Sequence, residues 1–216
     1  MKANTYAAEF IGTSILTTAV IGSGISAVKL TDNGGLALLI NAIATVLTLG
    51  LMIALLQPIS GAHFNPAVSL IAFVNKQMNF KALLLMVLAQ TTGAIFGAVL
   101  ANTMFNRTLV ELSETTRSGS SILIGEVVAT AGLIFAILMA IYNNKPQTLN
   151  WVVPLWIGGA YFFTSSSSFA NPAVTIGRSL SNSYAGIEPT CALQFMVAQF
   201  VGAFIGLALA NNLRNK

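Results

Sequence analysis

Six stretches of this chain are apolar for long enough to cross a bilayer as helices, which takes about 20 residues each. They run Tyr6–Val28, Gly35–Gln57, Phe80–Asn102, Ser120–Tyr142, Asn150–Phe163 with a few flanking residues, and Pro189–Leu209. Two further apolar segments, Asn65–Val74 and Asn171–Leu180, are about half that length. A helix of ten residues rises only about 15 Å, half the hydrocarbon core, so these two are expected to enter a membrane without crossing it. Each follows a small or polar run, Ile59-Ser60-Gly61-Ala62 in one case and Ser165-Ser166-Ser167-Ser168 in the other.

The pattern occurs twice. Glu9 stands in the first span and Glu126 near the start of the fourth. His63-Phe64-Asn65-Pro66-Ala67-Val68 pairs with Phe169-Ala170-Asn171-Pro172-Ala173-Val174, and Gln90-Thr91-Thr92-Gly93 with Gln199-Phe200-Val201-Gly202. The chain therefore reads as one domain, 1–216, made of repeats at about 1–108 and 118–216. Each repeat holds three spans and a half-span. Three is odd, so the second repeat enters from the opposite side and the two are inverted. The half-helices then meet near the midplane. The fold class expected is all-α: six transmembrane helices plus two re-entrant half-helices.

Composition agrees with a membrane setting. Of 216 residues, 55% are hydrophobic and 7% charged, where a soluble domain carries about 25% charged. Mean hydropathy is +0.78. A net charge of +4 could suggest nucleic acid, but the ten Lys and Arg are scattered singly, so no nucleic-acid partner is expected. One cysteine, Cys191, leaves no intrachain disulfide or cysteine metal site, and no cofactor is implied. Met1–Asn4 is short for a cleavable signal, so the first apolar run is expected to stay. With the termini on one side, that side holds Lys2, Lys76, Lys81, Lys145, Arg214 and Lys216 and no acid. The other holds Lys29, Arg107, Arg117 and Arg178 among four acids. The bias places both termini in the cytoplasm of a cell-membrane protein.

The chemistry sits in Asn65-Pro66-Ala67 and Asn171-Pro172-Ala173. Asn suits a helix N-cap, and Pro the first turn, where no backbone donor is needed. Two such caps at the midplane aim two helix N-termini at each other, each with partial positive charge and unpaired N–H groups. The Asn65 and Asn171 amides can donate to a passing oxygen, while a cation meets two positive dipole ends. With the paired motifs, the Glu of the first and fourth spans and the repeated Gln-x-x-Gly, the chain resembles the aquaporin and glycerol-facilitator family along essentially its whole length. That resemblance implies a right-handed bundle, a homotetramer and one pore per subunit. It also implies that Glu9 and Glu126 accept hydrogen bonds from the re-entrant loops, in preference to relaying protons. The Gly93/Gly97 and Gly202/Gly206 pairs allow close helix approach. His63 is placed at the cytoplasmic vestibule, Trp151 and Trp156 read as interfacial anchors, and Cys191 as packing.

The family sets selectivity at a four-residue constriction. Carried over by spacing, its positions here are Thr45, Gly159, Ser168 and Val174. Water-specific members resemble one another in an aromatic, a His and an Arg. Glycerol facilitators keep the Arg, add aromatics and follow it with Asp. This chain has Val174 for the Arg and Thr175 for that Asp, with no aromatic or His at these positions. A wide filter is expected, passing water and larger neutral solutes such as glycerol, urea or arsenous acid. The Asn-Pro-Ala-Val variant resembles a prokaryotic branch associated with arsenic resistance. Arg178, one turn beyond Val174, either reaches back over the mouth or snorkels to the outer interface. The competing readings are a water-selective aquaporin, an ion-coupled transporter and a junction protein with a blocked pore. An intramembrane enzyme is disfavoured, because one His, one Cys and one Asp do not make an active site.

Overall fold

The computed structural model describes residues 2–214; Lys216, counted above for orientation, lies outside them. Among these residues there are eight α-helices and no strand. They are α1 (Ala3–Leu30), α2 (Gly34–Ser60), α3 (Pro66–Val74), α4 (Phe80–Met104), α5 (Ser120–Tyr142), α6 (Leu149–Phe163), α7 (Pro172–Ser179) and α8 (Pro189–Leu213). Helix starts follow side-chain chemistry. Asn33 accepts from Leu36 N–H and Asn79 from Ala82 N–H, each satisfying a donor of the first turn.

Five of these helices are long and apolar enough to span a membrane: α1, α2, α4, α5 and α8. The sixth expected span, α6, has 15 residues, which rise about 22 Å against a hydrocarbon core of about 30 Å. A 3₁₀ turn, Pro146–Thr148, leads into it. The chain leaves α6 early because Thr164–Ser168 belong to an irregular segment that Ser165 ties to the Ser121 carbonyl (2.7 Å).

Helices α1 and α4 pack face to face, as do α5 and α8. Small residues allow it. A Cβ on Gly93 or Gly97 would press on the Phe10 or Ser14 carbonyl of α1, and one on Gly202 or Gly206 on the Val127 or Ala131 carbonyl of α5. The short helices cross between the pairs, α3 against α4 and α8, and α7 against the same two. Leucines such as Leu47, Leu51, Leu84, Leu155 and Leu193 stay exposed on the outer surface, as lipid-facing positions require.

The two tryptophans differ. Trp151 is exposed, but Trp156 is no interfacial anchor: its indole N–H donates to the Ala129 carbonyl (2.8 Å), and its ring lies against Gly132 and edge-on to Phe163. Cys191 is buried beside Phe195 and Ile187.

Candidate functional site

The short helices meet by their N-termini. Asn65 caps α3 by accepting from Ala67 N–H (2.9 Å), and Asn171 caps α7 by accepting from Ala173 N–H (3.0 Å) and Val174 N–H (3.2 Å). The same two side chains cross over. Asn65 Nδ2 donates to the Ala170 carbonyl (2.7 Å), and Asn171 Nδ2 donates to the Phe64 carbonyl (2.8 Å). An amide NH₂ has two donors, so each Asn keeps one N–H beyond these bonds, and both residues line the same cavity. Pro66 and Pro172 occupy the first helical position in each case, and Ala67 and Ala173 are fully buried behind them.

The loops leading to the caps have unusual backbone. Ala62 and Phe64 have φ of 51° and 49°, and Ser168 and Ala170 have φ of 50° and 46°. For residues with a Cβ this left-handed conformation costs about 1–2 kcal/mol each, so something must hold it. The buried carboxylates do. Glu9 accepts from His63 N–H (2.9 Å), Phe64 N–H (2.7 Å), Ser60 Oγ (2.6 Å) and Gln90 Nε2 (2.8 Å). Glu126 accepts from Phe169 N–H (2.9 Å), Ala170 N–H (2.9 Å) and Gln199 Nε2 (2.6 Å). Both carboxylates are fully buried, and neither has a basic partner among the described residues. The glutamines extend each network to the short helix: Gln90 also donates to Ser69 Oγ (2.8 Å), and Gln199 to Thr175 Oγ1 (3.0 Å).

A cavity of about 120 Å³ runs past both Asn residues, well above the roughly 10–15 Å³ that one water needs. Its walls are mostly aliphatic: Leu16 and Val20 of α1, Leu49 and Ile53 of α2, Leu133 and Ile137 of α5. At one end it shares Asn75, Gln77 and Ile141 with a vestibule of about 390 Å³, where Arg214 lies 4.7 Å over the Tyr142 ring. His63 lines the cavity, its Nδ1 paired with Ser69 Oγ at 3.0 Å.

Toward the opposite end the wall includes Thr45, Ser168 and Val174, but Gly159 is not part of it. Gly159 is exposed on the outer side of α6. The lining residues of α6 are Leu149, Val153, Ile157 and Tyr161, spaced by four and therefore on one helix face. Gly159 lies two residues from both Ile157 and Tyr161, on the far side of the helix. Ungapped counting from the motif thus placed it on the wrong face. The apolar four-residue spacing was the signal that would have found Tyr161, whose hydroxyl sits 3.2 Å from Thr45 Oγ1. The wall accordingly holds an aromatic side chain, contrary to the expectation of small residues only. Ser168 is buried, and its hydroxyl has no partner among the described residues.

Arg178 does not snorkel. It is 4% exposed and lines the cavity, with its guanidinium 3.2 Å over the Phe169 ring and its Nε donating to the Ala185 carbonyl. Sequence reading missed Phe169, Ser69 and Thr175, because their roles depend on what stands across the loop from them.

Residues 2–170 match the Major intrinsic protein family. The chain is 43% identical over 202 residues to Aquaglyceroporin AqpS of Rhizobium meliloti (strain 1021), covering 94% of this chain and 86% of that one. It is 32% identical over 183 residues to a probable TIP-type aquaporin of Medicago truncatula, covering 79% and 72%. Its fold matches the X-ray structure of the aquaglyceroporin from Plasmodium falciparum with a TM-score of 0.78 at 20% identity, over 97% of this chain and 96% of that one. The protein is a membrane-spanning channel rather than an enzyme, and it belongs to the major intrinsic protein family of aquaporins and aquaglyceroporins.

Proposed function

We propose that the chain is a passive channel for uncharged solutes larger than water as well as for water itself, with glycerol-like polyols, urea and arsenous acid as the solute class. The observation that carries this reading is the continuous cavity past Asn65 and Asn171 with Val174 in its wall. Each Asn offers a spare N–H to a passing oxygen, while the aliphatic walls suit carbon or a metalloid. A relative named as an aquaglyceroporin, 43% identical, supports the same class. The water-selective alternative is favoured by Tyr161 and Arg178, two large side chains that line the cavity.

In this reading Asn65, Pro66, Ala67, Asn171, Pro172 and Ala173 form the pore centre, and Glu9 and Glu126 hold the loops. Thr45, Tyr161, Ser168 and Val174 form the constriction. The halves are inverted repeats, the termini face the cytoplasm, and four copies assemble with one pore each. The exposed leucines of α2 and α6 are available to lipid or to neighbouring subunits.

Osmotic response of reconstituted liposomes tests the proposal. Protein-containing vesicles are expected to equilibrate water, glycerol and arsenous acid faster than empty ones. Water passage alone would favour the water-selective reading, and no passage at all would leave a closed junction protein.

A further inference from the structure

We propose that Arg178 determines the specificity of this channel: a fixed guanidinium with no direct carboxylate partner, at the mouth opposite the termini, donating to the oxygens of neutral solutes and turning cations back. The inference rests on the channel reading above.

Four observations carry it. First, Arg178 is nine-tenths buried yet lines the conducting cavity, so its charge is in the path and not in the lipid headgroups. Second, no carboxylate among the described residues lies within ion-pair distance of it; the one ion pair among them joins Arg107 to Glu111, and buried Glu126 acts on it only from farther off, with Arg117 adding a second positive charge nearby. A net positive charge in a low-dielectric wall acts on permeating ions far more strongly than it would in water. Third, of its five N–H donors, only Nε–H has a hydrogen-bond partner among the described residues, the Ala185 carbonyl. The Nη donors are left for whatever occupies the cavity.

Fourth, the side chain is held from several directions. The Phe169 ring lies under it at 3.2 Å, and that ring is set edge-on against Phe195 at 5.0 Å and 74°. Arg178 also stands in the last turn of α7, where the negative end of the helix dipole favours a cation. Arg117 approaches the same ring at 5.3 Å and donates to the Gly186 (2.9 Å) and Tyr184 (3.2 Å) carbonyls. It thereby fixes the loop that presents the Ala185 carbonyl to Arg178. Phe169 and Arg117 are positioning residues in this account, and Arg178 is the group that meets the solute.

The test compares native protein, Arg178→Gln and Arg178→Lys in liposomes, reading potassium flux and the ratio of glycerol to water permeability. Gln keeps a donor of similar reach without the charge. Lys keeps the charge without the planar fork. Potassium flux is expected to rise about tenfold in Arg178→Gln and to stay at the native level in Arg178→Lys, since a unit positive charge in the wall sets the barrier. The glycerol-to-water ratio is expected to change in both. Native-like potassium flux in Arg178→Gln overturns the proposal. An equal rise in both variants also overturns it, because the residue would then act through packing. A native protein passing no neutral solute would instead remove the channel reading itself.

Discussion

The two halves of the molecule use one scaffold and differ where they face the solute. Glu9, Gln90 and Ser69 on one side repeat as Glu126, Gln199 and Thr175 on the other, with corresponding hydrogen bonds. Even the left-handed residues coincide, Ala62 and Phe64 against Ser168 and Ala170. In the register of the two Asn-Pro-Ala motifs, His63 stands opposite Phe169 and Ala72 opposite Arg178. One mouth thus carries an imidazole bonded to its own helix, and the other an aromatic platform under a guanidinium. What is duplicated satisfies buried backbone, which any pore of this kind must do. What is not duplicated can set selectivity at one end without disturbing the centre.

Removing a carboxylate should break this symmetry most severely. Glu126→Leu strands three donors and Glu9→Leu four. At about 1–3 kcal/mol for each unsatisfied group, either variant should lose roughly 3 kcal/mol or more, with Glu9→Leu slightly worse. Thermal unfolding in detergent reads the difference. A half that tolerates the change would show that its loop does not depend on the carboxylate.

Next in size are Gly97→Val and Gly206→Val, which push α4 off the Ser14 carbonyl and α8 off the Ala131 carbonyl. Overpacking of this kind costs about 1–3 kcal/mol, and the two losses should match. Gly34→Ala, with nothing within 4 Å of the added carbon, is the control and should leave the melting temperature unchanged. Unequal losses would mean that the two helix pairs are not energetically equivalent.

The duplicated part was legible in sequence because it is written in local patterns. Apolar length, Asn-Pro caps and the repeated Glu and Gln-x-x-Gly each stand in one short stretch. The part that differs between the halves was less legible. Gly159 was reached by counting through a helix that stops early at Phe163, and the face of α6 is fixed by packing rather than by distance from the motif. Arg178 looked free to leave for the interface. The Phe169 ring and the Ala185 carbonyl, neither adjacent to it in sequence, hold it in the wall. Trp156 failed as an anchor for a similar reason: Gly132, on a different helix, makes room for its ring.

Stopped-flow light scattering on native and Val174→Arg proteoliposomes tests the central claim most directly. The native channel is expected to pass glycerol as well as water. In Val174→Arg a long cationic side chain narrows the wall beside Tyr161 and Arg178, and glycerol permeability is expected to fall about tenfold while water passage is kept. A native channel that passes water alone, or a Val174→Arg variant that passes glycerol as freely as the native one, would contradict the account.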